Sequence, residues 1–127
     1  MSCPLCKEVE AGGGLIVDAD TAVSLLDKHP VSPGHCLILP RRHIDSVWEL
    51  SREDVTALYE VMAETQHIVK SKFEPDGYNI GVNAGEAAGQ TVDHLHIHLI
   101  PRYLGDDVDP RGGIRWILPE RAMHWDD

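Results

Sequence analysis

HLHIHL, residues 94–99, alternates histidine with a bulky aliphatic residue three times in succession. A period of two marks an extended strand, because successive side chains point to opposite faces. Leu95, Ile97 and Leu99 then face a core. His94, His96 and His98 line the other face, about 7 Å apart in consecutive pairs. Imidazole ligates metals and titrates near neutral pH, so three in register point to chemistry rather than to an ordinary solvated face. The stretch is predicted as part of a strand over 91–100, stopped by Pro101.

Working outward, NAGEAAGQT at 83–91 is a loop of small residues, which lets backbone N–H groups approach an anion closely. Residues 78–82 read as the strand before it. A helix is predicted over about 51–72. Ser51 and Asp54 have the spacing of a capping box, and Val55, Leu58, Tyr59, Met62, Ile68 and Val69 follow helical periodicity, with Thr65 and Gln66 interrupting the stripe. Residues 15–17 and 22–26 read as two short strands around a turn, HPVSPG at 29–34 is a loop, and 35–39 is a strand that stops at Pro40. The tail from residue 103 is rich in turns, with Ile114, Trp116 and Leu118 suggesting one more short strand. One long helix among strands with hairpin-length links predicts an α+β fold, an antiparallel sheet of about five strands. A single domain over 1–127 is expected, its core at about 3–102 and its tail at 103–127.

The 11 basic and 21 acidic residues give a net charge of −10, with the basic ones scattered. A nucleic-acid or membrane-surface binder normally carries a basic patch, so neither partner is expected. No apolar run is long enough to cross a bilayer, and MSCPLCKEVE lacks the features of a signal peptide, so a cytoplasmic location is expected. The cysteines are Cys3, Cys6 and Cys36, an odd count that argues against a disulfide framework. Cys36, in CLIL, reads as a buried small hydrophobe. Cys3 and Cys6 form a C-x-x-C pair, which on its own is a redox motif or half of a metal site.

Two uses of the histidines follow from residue type. They can ligate a metal together, or one imidazole can act as nucleophile or acid–base group while its neighbours orient it. A small-residue loop leading into the row suits a phosphate better than a bare metal. Here GQTVDHLHIHLIPR, 89–102, resembles the signature of the histidine triad family, in which three histidines alternate with hydrophobic residues. LLDKHPVSPGHCLILPRRH, 25–43, is similar to the family's strand–loop–strand, with one histidine after Pro-Gly and another after a basic pair.

The resemblance implies a histidine-triad fold with a short N-terminal helical segment, and a nucleotide hydrolase or transferase. His96 matches the nucleophile that attacks an α-phosphorus, forming a nucleotidyl-histidine that water then hydrolyses to a nucleoside monophosphate. An imidazole of ordinary pKa, about 6.5, is largely neutral at pH 7 and suits both steps. His98 matches the third triad member, which supports phosphate oxygens, and His35 the upstream histidine that joins the cluster. Asp27 matches the ribose-binding carboxylate. Asn83, Gly89, Gln90 and Thr91 fall where relatives hold phosphate and leaving group, and Leu25 falls at the nucleoside pocket. The chain departs from the pattern at Leu25 and Lys28, positions often bulkier or more apolar. GQTV and Pro101-Arg102 look closer to the dinucleoside polyphosphate hydrolases than to the phosphoramidate hydrolases. Resemblance to bacterial members also implies one structural zinc per chain on Cys3, Cys6, His43 and His94, and a homodimer. Two other readings compete: a metallohydrolase with its metal on His94, His96 and His98, and a non-catalytic module that binds nucleotides or proteins.

Overall fold

The computed structural model describes residues 3–125. Helix α1 spans Pro4–Ala11, with proline at its first turn, where no N–H is needed, and Gly12 in the left-handed conformation at its end. Strands β1 (Leu15–Asp18), β2 (Ala22–Leu26) and β3 (Cys36–Pro40) form an antiparallel meander. Helix α2 (Arg52–Phe73) follows, then β4 (Gly77–Gly81) and β5 (Ile97–Arg102). The sheet order is β1-β2-β3-β5-β4, so β5 is inserted between β3 and β4, and β4 is an edge.

Register determines what each face carries. Leu25 pairs with Leu37, Leu37 with His98, and His98 with Gly81, forming one line across four strands. Cys36, Ile38 and Leu99 point the other way, into a core with Leu58, Val61 and Val69 of α2. On the face away from α2, Val23, Leu25, Leu37 and Leu39 are covered by Leu5 and Val9 of α1. The histidine face is therefore opposite the long helix, and α1 covers only part of it.

Helix α2 matches its predicted limits, and both arms of the Ser51–Asp54 capping box are present. Its buried stripe is Asp54, Leu58, Val61, Thr65 and Val69, while Val55 and Tyr59, predicted to face the core, are 52% and 64% exposed. The stripe passes through Thr65 because that side chain has a partner. Its hydroxyl lies 2.6 Å from that of Ser24, which in turn accepts a hydrogen bond from the Val17 N–H. A fully buried hydroxyl pair in contact avoids the desolvation cost of a lone polar group.

Two predicted strands are corrected. The strand expected over 91–100 and stopped by Pro101 begins only at Ile97 and runs through Pro101 to Arg102, where it pairs with β4 alone. Pairing of β3 with β5 runs from Cys36↔Leu99 to Ile38↔Ile97, and continuing it would place Pro40, which has no N–H, opposite Leu95. The ladder stops there, and the Leu95 N–H turns to the Ile44 carbonyl at 2.7 Å. In the tail, residues 113–117 and 119–121 are short 3₁₀ turns rather than a strand. Gly112 and Gly113, both at positive φ, reverse the chain before them. Among the described residues, no helix is long and apolar enough to cross a membrane.

Candidate active site

The side-chain alternation of 94–99 survives the broken ladder. Leu95 and Leu99 are 1% and 0% exposed in the α2-side core, and the three histidines project to the opposite face. There they divide between two clusters.

The first cluster is a relay whose tautomers follow from backbone partners. The Val31 N–H donates to His35 Nδ1 at 3.1 Å, so the proton of a neutral His35 is on Nε2. His35 Nε2 lies 2.9 Å from His98 Nδ1 and donates to it, which places the His98 proton on Nε2. His98 is therefore an N–H donor on its outward side. His96 has the reverse arrangement: its Nδ1–H donates to the His94 carbonyl at 2.8 Å, leaving a lone pair on Nε2. The His96 and His98 rings meet edge to face with centroids 5.2 Å apart. His96, just before β5, and His98, on it, thus present a bare ring nitrogen beside a hydrogen-bond donor. Burial pushes both His35 and His98 below the ordinary imidazole value, outweighing nearby Asp27, and this favours the neutral forms the relay requires.

The remaining predicted substrate residues surround this pair. Asp27 is half-buried. One carboxylate oxygen accepts from the His29 N–H at 2.8 Å, and the other lies 3.4 Å from His35 Nε2 and 4.0 Å from His98 Nδ1. It caps its own loop and also flanks the relay. Gln90 fastens the small-residue loop: its Oε1 accepts from the Gly85 N–H, and its Nε2 donates to the carbonyls of Asp45 and Val92. Its polar atoms are committed to these backbone partners, so it braces the loop. Gly89 closes the turn at 86–88 at φ 91°, which a side chain rarely adopts. Gly89 and Asn83 line a cavity next to His98, and Thr91 is exposed beyond them. Leu25, expected at a nucleoside pocket, is instead 3% exposed and packed in the core with α1, because its place in the β2 register puts it under that helix.

The second cluster joins Cys3, Cys6, His43 and His94, whose donor atoms all lie within 4.8 Å of one another. Helix α1 supplies the thiols through its N-cap and first turn. Arg41, paired with Asp18, and Arg42, paired with Asp54, pin the segment that carries His43. His94 donates Nε2–H to the Pro40 carbonyl at 2.9 Å, and His43 donates Nε2–H to Asp45 at 2.9 Å, so both turn a bare Nδ1 to the thiols. The sulfur–nitrogen distances are 3.4 to 3.5 Å. A tetrahedral zinc with ordinary bond lengths separates S and N ligands by about 3.6 Å. Donor type, tautomer and spacing all fit zinc, and four protein donors leave no open position. Sequence reasoning did not anticipate Asp45 or the Pro40 carbonyl, both of which orient ligand rings. Cys36 stands apart, fully buried, with its thiol pushed up to about 11 by desolvation.

The competing site on His94, His96 and His98 does not form, because the His94 ring is committed to the thiols and to Pro40. Asp27, His35 and His98 also approach one another closely. There, however, His35 Nε2 must carry a proton while Nδ1 accepts from Val31, so it has no lone pair for a metal.

A family model described as HIT domain matches residues 8–105. An adenosine 5'-monophosphoramidase of Schizosaccharomyces pombe is 38% identical over 104 residues, covering 80% of this chain and 75% of that protein. A bis(5'-adenosyl)-triphosphatase of Dictyostelium discoideum is 37% identical over 83 residues, covering 65% of this chain and 56% of that protein. Among solved structures, a zinc-bound histidine triad family protein from Mycobacterium smegmatis superposes with a TM-score of 0.76 at 31% identity, covering 86% of this chain and 81% of that one. The model spans most of the sequence and includes all three alternating histidines, and the chain belongs to the histidine triad (HIT) family of nucleotide hydrolases and transferases.

Proposed function

We propose that the protein hydrolyses nucleotide conjugates at the α-phosphate through a nucleotidyl-histidine on His96. The observation that carries this is the opposed tautomers of His96 and His98. The His94 carbonyl holds the proton on His96 Nδ1, leaving Nε2 bare for attack, while His98 offers Nε2–H to a phosphate oxygen. His96 Nε2 attacks phosphorus, the bond to the leaving group breaks with its electron pair, and that group takes up a proton. Water then cleaves the P–Nε2 bond, releasing a nucleoside monophosphate and restoring His96. His35 holds the His98 tautomer, Asp27 faces the sugar, and Asn83, Gly89 and Thr91 border the phosphate side. The relatives named as a phosphoramidase and a triphosphatase support this bond class.

Cys3, Cys6, His43 and His94 would hold one zinc per chain, whose contribution when bound is structural. It would tie α1 to the segment carrying His96, two residues beyond His94. The zinc-bound relative supports this assignment. A homodimer through the β4 edge and α2 completes the proposal. Its support is the exposed apolar surface at Val55, Tyr59 and Ile80, the last 45% exposed.

The test is release of AMP from a panel containing diadenosine polyphosphates, adenosine 5'-phosphoramidate and a nucleotide sugar. The wild type should turn over at least one, and His96→Ala should bind AMP by calorimetry with turnover reduced about a thousandfold or more, equivalent to roughly 4 kcal/mol of barrier. Nucleotide binding by the wild type without turnover of any of them would identify a binding module instead.

A further inference from the structure

The small-residue loop at 83–91 is mostly exposed, and its hydrogen bonds are largely its own. The Ala88 and Gln90 N–H groups both donate to the Gly85 carbonyl, and the Gly89 N–H donates to that of Glu86. The Gln90 side chain accepts from the Gly85 N–H at 2.9 Å and donates to the nearby Val92 carbonyl at 3.1 Å. Among the described residues, one hydrogen bond of this loop reaches a distant part of the chain: Gln90 Nε2 donates to the Asp45 carbonyl at 3.0 Å. A cavity of about 330 Å³ is bordered by Cys3 and His43 of the thiol–imidazole cluster, by Thr91 at the end of the loop, and by Asp45. Asp45 therefore stands where the cluster and the loop meet.

Asp45 has two arms. Its carbonyl holds Gln90, and its carboxylate accepts Nε2–H of His43 at 2.9 Å. The second arm is weak by itself, because the His43 and Asp45 side chains are 35% and 60% exposed and water competes for both. A cation on His43 Nδ1 changes that balance. It fixes the orientation of the ring and draws electron density from it, which makes Nε2–H a stronger donor to the carboxylate. The residue before Asp45 is anchored independently: Ile44 is buried, and its carbonyl accepts from the Leu95 N–H at 2.7 Å. Asp45 itself is exposed, so its orientation follows the partner its carboxylate holds.

We propose that Asp45 is a positioning residue that couples the metal cluster to the loop: with zinc on Cys3, Cys6, His43 and His94, the chain His43–Asp45–Gln90 holds residues 85–90 in place. This rests on the zinc ligand set proposed above. The cluster then bears on the reaction centre by two routes. Through the His94 carbonyl it fixes the His96 ring, and through Asp45 it fixes the loop that borders the phosphate side. Asp45 reaches the substrate only through Gln90 and its loop. The coupling is reciprocal, so an anion that orders the loop strengthens the hold of the cluster on zinc by the same factor.

The test is amide hydrogen exchange read by mass spectrometry, with zinc content measured on each sample. Exchange in a peptide covering 84–91 is compared with exchange in α2, which reports global opening. In zinc-loaded Asp45→Ala the loop amides should exchange about fivefold faster than in the zinc-loaded wild type, the weight of one hydrogen bond, while those of α2 stay unchanged. Asp45→Asn keeps an acceptor for His43 Nε2–H and should restore slow exchange, which a role for Asp45 as charge alone would not allow. Gln90→Met cuts the tie on the loop side. It should retain one zinc per chain, and its loop should exchange fast whether zinc is present or stripped by a chelator. Wild-type loop exchange in zinc-loaded Asp45→Ala, or an equal response to zinc removal in Gln90→Met and the wild type, overturns the coupling alone. A wild type that takes up no zinc overturns the ligand set and the coupling with it.

Discussion

His94 joins the two clusters. Its ring faces Cys3 and Cys6, and its carbonyl holds the proton of His96. The three alternating histidines were legible in the sequence, because a period of two with histidine on one side is a strong pattern, while the pairing of His94 with Cys3 and Cys6 was implied by the family resemblance. The tautomers were not, since they depend on the Val31 N–H and the Pro40 carbonyl, groups every residue carries and no pattern marks. Gln90 shows the same limit: its family position suggested phosphate contact, but its side chain ties its own loop to the Asp45 carbonyl. A pH effect belongs at this scale. Burial lowers the affinity of His35 for a proton, against the opposing pull of Asp27. As pH falls below about 6.5, the unfolded chain therefore takes up that proton first. The stability contributed by neutral His35 is complete above that value and is lost as pH drops through the lower folded value. His35→Gln should reduce the difference in Tm between pH 7.5 and 5.5, measured by differential scanning calorimetry. An unchanged difference would show that His35 does not titrate in this way.

At the scale of elements, α2 was read almost to the residue because its start signal is local. The capping box is present, and Asp54, bound by Arg42 and by the Ser51 N–H, has its carboxyl pulled down to about 2. Ser51→Ala should cost about 1 kcal/mol in urea unfolding, typical of a lost N-cap. The buried stripe was misplaced because Thr65 interrupts the apolar pattern, and its partner Ser24 lies on another element. The extent of β5 was misjudged for a related reason: the residue that stops its ladder, Pro40, is on β3. The turn before His35 is tighter than its sequence shows. Gly34 has φ 87°, and a Cβ there would meet the Phe73 ring at 3.0 Å. Gly34→Ala should therefore destabilise by about 1 to 3 kcal/mol through backbone strain, with crowding added. A loss under a few tenths of a kcal/mol would mean that the loop relaxes freely.

For the whole molecule, α1, the loop bearing His43 and the segment before β5 converge on the four thiol and imidazole donors. Cys3→Ser with Cys6→Ser should abolish bound zinc, measured by elemental analysis, and lower Tm, while leaving His96 in place and activity measurable. One zinc per chain retained in the double variant would refute the ligand set. Light scattering should give twice the chain mass at micromolar concentration, and a monomer would leave Val55, Tyr59 and Ile80 without the proposed partner. The fold class could be read from the patterns of residues 3–102, and the membership of both clusters from the resemblance those residues carry to the histidine triad family. The tail could not, because its glycines and prolines specify turns without saying where they lead. The most direct test of the central claim is a rapid quench of the wild type with a substrate labelled at the α-phosphate. Acid-labile, base-stable label should appear on the protein within the first turnover and map to His96. Label on another residue, or full turnover by His96→Ala, would contradict the account.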